Sequence, residues 1–107
     1  MKLVIPPKCQ IGAHIIKIVW SRKLLEVQEA RGGSEYLGEI IIRLMPNRPI
    51  TATFQTLIHE IFHQIDFVYH LKDLGDDSIQ VLSAGLAQAL LSLDIEPDFS
   101  QIPEEEK

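Results

Sequence analysis

His59-Glu60-Ile61-Phe62-His63 is the stretch that decides how this chain folds, and it lies inside a segment of clear helical periodicity. With His59 at zero on a helical wheel, His63, Asp66 and His70 fall within about 40° of it. Phe54, Leu57, Ile58, Ile61, Phe62, Ile65, Val68 and Tyr69 fill an opposite arc of about 140°. One long helix is therefore expected, capped by Thr51 or Thr53 and running to about Leu71. It has a broad face for a core and a polar face carrying histidines.

Side chains at i and i+4 of a helix stand about 6 Å apart on one face. Two imidazoles so placed can reach one ion at Zn–N distances of about 2.0–2.1 Å. Glu60 lies about 100° round from His59, beside such an ion rather than on it. A carboxylate there can take a proton from water and pass it to a leaving amine. The competing reading is a solvated helix face that happens to carry two histidines; Glu60 and the clean wheel weigh against it.

Two histidines do not complete a catalytic zinc site, which needs a third protein ligand and an open position. The candidates are Asp66, His70, Asp73, Asp76, Asp77 and Gln80. His70 lies too far along the helix to share an ion centred between His59 and His63. Asp66 is better placed to accept an imidazole N–H and orient the ring. Asp76 and Asp77 stand where a second helix would return alongside the first, although capping that helix would explain them equally well.

The chain has 107 residues, enough for one domain, and 46% of them are hydrophobic, enough for a core. Its net charge of −5 argues against a nucleic-acid surface. A single cysteine, Cys9, excludes an intramolecular disulfide and a cysteine-based zinc cluster. No apolar run approaches a membrane span, and Met1 to Ile5 is cut short by Pro6-Pro7 before it can form a signal-peptide core. A cytoplasmic, soluble protein is expected, binding neither nucleic acid nor membrane.

Residues 3–5 suit a short edge strand, and 13–20, with Ile15, Ile16, Ile18, Val19 and Trp20, suit a full one. His14, at its start, suits a structural role better than a ligand's. Residues 22–30 suit strand or helix equally, and Arg31-Gly32-Gly33-Ser34 suits a turn. Residues 36–44 suit a second strand, centred on Glu39 to Arg43. After the long helix and a break at 72–77, a second helix is expected from about Ser78 to Leu93. Its apolar stripe would be Ile79, Leu82, Leu86, Ala89, Leu90 and Leu93. The expected fold is α+β: a small mixed sheet of two to four strands packed on the long helix, then a second helix. Residues 1–96 form the domain, and 97–107 read as an acidic, flexible tail.

The stretches Gly38 to Arg43, Thr56 to Asp66, Leu74 and Ile79 to Leu91 resemble the gluzincin type of zinc peptidase. More narrowly, they resemble the small bacterial and phage proteins grouped with ImmA/IrrE-like metallopeptidases. The resemblance spans roughly residues 14–92. It implies a zincin-like fold, a Zn²⁺ cofactor held by His59 and His63, and Glu60 as general base. Relatives of this kind place an acid at the start of the next helix, which corresponds here to Asp77, with Asp76 and Gln80 as alternatives.

The expected activity is hydrolysis of a peptide or protein substrate by zinc-activated water. The substrate would pair with the strand near 38–44, and Tyr36, Tyr69 or His70 are candidate oxyanion donors. A homodimer could supply a cleft wall that so short a chain lacks. The alternatives are a non-catalytic zincin-fold interaction module and a DNA-binding regulator, which the acidic charge disfavours.

Overall fold

Alternating large aliphatics in two segments, Ile16/Ile18 and Ile40/Ile42/Leu44, give the sheet a single apolar face, and the rest of the fold is laid against it. The structure, a computed structural model, describes residues 1–22, 32–35, 40–69 and 75–105, with the backbone alone for 32–35. In chain order the described elements are β1 (Lys2–Val4), β2 (Lys8–Ile11), β3 (His14–Trp20), β4 (Gly32–Glu35), β5 (Ile40–Leu44), α1 (Ile50–Tyr69), α2 (Asp76–Ser92) and β6 (Glu96–Asp98). This is a small α+β fold with two helices and a mixed sheet. Among the described residues no helix is long and apolar enough to cross a membrane.

The main sheet has the order β2-β3-β5-β4. β2 and β3 form an antiparallel hairpin, β3 and β5 run parallel, and β4 is antiparallel to β5. Ile16 stands opposite Ile40 and Ile18 opposite Ile42, so the two strands present one continuous apolar surface. Each such buried side chain contributes about 1.5–3 kcal/mol of transfer free energy. Leu57 and Ile61 of α1 cover this surface. On a neighbouring face of α1, Phe54, Ile58 and Phe62 pack against Ala87, Leu90 and Leu91 of α2. The expected 140° apolar arc is thus divided between two neighbours. The buried surface also extends onto polar positions, taking in Thr53, Glu60 and Gln64.

Several expectations are corrected. Gly32-Gly33-Ser34 is part of a strand, not a turn, because β5 offers a ladder that Gly backbone can join. β5 lies inside the sheet between β3 and β4, so the strand expected to receive substrate has no free edge; among the described strands the edges are β2 and β4. The helix begins at Ile50 rather than at a threonine cap, and the Thr53 hydroxyl donates back to the Pro49 carbonyl. The stretch 22–30 lies outside the described residues from 23 onward.

The acidic tail also has a place in the fold. β6 pairs in parallel with β1, and Ile102 joins the core. Trp20 N–H donates to the Pro103 carbonyl and Glu105 N–H to the Trp20 carbonyl. Arg43 Nε meets Glu105 Oε2 at 2.7 Å, in a largely sheltered pair. Arg22 meets Glu104 at 2.8 Å in the open. The charges that mark residues 104–105 as tail-like in composition are the ones that fasten them to the sheet.

α2 turns a different face inward from the one expected. Ile79, Ser83 and Ala87 are buried, whereas Leu82, Leu86 and Leu93 are 48%, 41% and 70% exposed. Small side chains at 83 and 87 let the helices approach closely, which a row of leucines would prevent. The Ser83 hydroxyl is satisfied within its own helix by the Ile79 carbonyl.

Two glycines provide a test. Gly12 turns the β2–β3 hairpin at φ +60°, and a Cβ there would stand 2.8 Å from Val68 Cγ1. Gly85 lies within α2 with nothing within 4 Å of such a Cβ. Gly12→Ala is expected to destabilise by about 2 kcal/mol and Gly85→Ala to stabilise by about 0.5–1 kcal/mol. Urea denaturation midpoints at constant slope measure both.

Candidate metal centre

The helical spacing of His59 and His63 puts both rings on one side of α1, with centroids 4.7 Å apart and planes inclined at 64°. Their Nε2 atoms face each other at 3.0 Å. Asp76, the first residue of α2, brings Oδ1 to 3.0 Å from His63 Nε2 and 3.9 Å from His59 Nε2. The two imidazoles are mostly sheltered, at 19% and 26% exposure, while the Asp76 side chain is 79% exposed. Two sheltered nitrogens and one open carboxylate leave a side accessible to solvent.

The triangle fits one small cation. The circle through its three corners has a radius of about 2.0 Å, so a single point can stand 2.0–2.1 Å from each donor, the range for zinc. Two nitrogen lone pairs aimed at each other at 3.0 Å repel unless a proton or cation lies between them. Among the described residues this is the group of histidine and acidic side chains whose donor atoms converge closely enough to hold a metal.

The sequence left the third donor open and, through the resemblance, placed it on Asp77. The structure brings Asp76 to the rings instead, and Asp77 stands outside the group, exposed. Helical phase explains the difference. Asp76 lies within about 20° of Ser83 and Ala87 on the wheel, hence on the face of α2 that meets α1. Asp77 is turned about 100° further round. The expected stripe through Ile79, Leu82 and Leu86 also turns Asp77 away more than Asp76, so the signal was present in the sequence, and only the resemblance pointed to Asp77. Capping does not occupy Asp76: the N-cap is Gly75, and no side-chain bond closes that end of the helix. Both aspartates still favour the helix dipole, by about 0.3–1 kcal/mol each.

Glu60 is buried, at 8% exposure. It stands between the histidine face and the stripe formed by Thr53, Leu57 and Gln64, on the side towards the sheet. Asp66, expected to accept a ring N–H, accepts no such bond, and His59 Nδ1 is buried with no partner among the described residues. Gln80 is exposed on α2, His14 is exposed at the start of β3, and Tyr69 is 58% exposed beside Gly12. Tyr36, His70 and Asp73 lie outside the described residues.

One residue that sequence reasoning did not single out is Gln64. It is fully buried, and neither Oε1 nor Nε2 has a partner among the described residues. Nothing in the sequence marks it, because an amide on a helix is usually solvated. No family model, curated protein or solved structure matches this chain.

An unsatisfied buried amide costs about 1–3 kcal/mol. Gln64→Met, which keeps the length and removes the polar atoms, is expected to raise the melting temperature by several degrees. An unchanged or lowered value in a thermal scan contradicts the burial described here.

Proposed function

We propose that this protein is a zinc-dependent hydrolase of peptide bonds, with a zincin-like, gluzincin-type site of the ImmA/IrrE-like kind. The observation that carries this reading is the convergence of His59 Nε2, His63 Nε2 and Asp76 Oδ1 on one point, with Glu60 next in sequence to His59. His59, His63 and Asp76 would hold the ion. Bound zinc supplies Lewis-acid chemistry, lowering the pKa of water to about 7 and polarising a carbonyl. Glu60, next to His59 and sheltered from bulk water, takes the proton of the attacking water on its carboxylate. It then returns that proton to the departing amine. The exposed side of Asp76 leaves room for an extended chain. β4, an edge strand packed near α1, is the candidate ladder for a peptide or protein substrate.

A second reading is an interaction module that holds metal without turnover. It is favoured by the apolar side chains that α2 leaves exposed, Val81 at 71% and Leu82 at 48% among them.

Two measurements separate these. Protein prepared without chelator is expected to carry about one zinc per chain. Asp76→Asn should weaken zinc affinity at least tenfold, while Asp77→Asn leaves it within about twofold. Equal losses would remove Asp76 from the site. Glu60→Gln should keep the metal and abolish cleavage of an unstructured peptide mixture followed by mass spectrometry. Cleavage at the wild-type rate by that variant rules out the general base. Zinc binding with no cleavage by the unaltered protein favours the module.

A further inference from the structure

A cavity of about 450 Å³ lies at the opposite end of α1's first half from the histidines, where Ile50 and Thr53 meet β6 and the segment after it. From Thr53 to His59 is about 9 Å along the helix axis, so this is a separate place on the molecule. Its walls are mixed, with an aromatic and aliphatic side beside charged and hydroxyl groups. Trp20 and Phe99 stand with ring centroids 5.8 Å apart at 60°, and Ile50 contributes a further apolar side.

The polar groups of this cavity do not balance one another. Arg48 lines it with Nη1 buried and without a partner among the described residues, where no carboxylate pairs with it. Lys2 also lines it, but its Nζ is taken up by Glu96 at 3.1 Å. Asp98 Oδ1 accepts the Ser100 N–H at 2.9 Å, and that bond, aided by Lys2, holds its carboxyl below the usual range. Asp98 is therefore charged near neutrality and is already engaged. One partly exposed guanidinium is left without a counter-charge among the described residues.

We infer that this cavity binds a single carboxylate carried on an apolar group, with Arg48 as its counter-ion and Trp20 and Phe99 against the apolar part. A planar guanidinium matches a carboxylate through two parallel hydrogen bonds. The charge balance favours a monoanion. One negative charge neutralises Arg48, whereas a dianionic phosphate would bring a second charge beside Asp98. The inference does not rest on the metal centre.

Trp20 is the chain's single tryptophan and lines this cavity, so its emission reports on occupancy there. The full chain is titrated with N-acetyl-leucine, with N-acetyl-leucine amide and with inorganic phosphate. EDTA is present throughout, so that a carboxylate on a metal cannot contribute. N-acetyl-leucine is expected to shift the emission saturably, the amide to bind at least tenfold more weakly, and phosphate not to compete. Arg48→Met should weaken the acid at least tenfold while keeping the wild-type circular dichroism spectrum. The inference is overturned by an absent or unsaturable response, by equal responses to acid and amide, by stronger binding of phosphate, or by a folded Arg48→Met protein that binds unchanged. Should that variant fail to fold, the acid–amide comparison on the unaltered protein decides by itself.

Discussion

The packing of α2 against α1 is the constraint on which the candidate site depends. One helix can place two imidazoles together, but it cannot supply a third donor at the same point, because its next turn lies about 5.4 Å further along. The third donor must arrive from another element. Here the small side chains of Ser83 and Ala87 let α2 lie close to α1. Asp76, in phase with them, is carried onto the histidine pair. A bulky residue at 83 or 87 would move the helix outward and take the carboxylate with it.

The sheet acts on the site from the other side. Its apolar face, built by the parallel pairing of β3 with β5, receives Leu57 and Ile61 and so sets the rotation of α1 about its own axis. That rotation leaves His59 and His63 away from the sheet and turns Glu60 and Gln64 towards it. Burial of the Gln64 amide with no partner among the described residues, close to two sheltered rings, is an expensive arrangement for a helix whose only task is packing. It is the kind of local conflict expected at a functional position.

Much of this was legible in the sequence where the signal lies in one continuous segment. The long helix, the shared face of His59 and His63, the two flanking strands and the α+β class all follow from periodicity within a few turns or residues. What was not legible depends on a partner. For α2, the stripe through Leu82 and Leu86 and the stripe through Ser83 and Ala87 both repeat at helical spacing, and hydrophobicity alone favours the wrong one. Ser83 and Ala87 are inward because α1 is near, which the sequence of α2 does not state. Asp77 came from the resemblance and not from phase: either stripe turns it farther from the inward face than Asp76. β4 was hidden because Gly32-Gly33 carries no side chains to alternate, and the docking of residues 103–105 because acidic runs are usually solvated. Arg43 and Trp20 overturn that rule here.

α2 leans chiefly on α1, through a narrow row of small and aliphatic side chains. Its seating is thus a local equilibrium, separable from the folding of the sheet. Anything that bridges Asp76 to His59 and His63 also staples the start of this helix to the middle of the other. By reciprocity, the free energy spent in seating the helix is subtracted from the bridging ligand's affinity, and the ligand returns the same amount as resistance of α2 to local opening. Slowed amide exchange along α2 would thus register occupancy of the site even where no reaction can be followed.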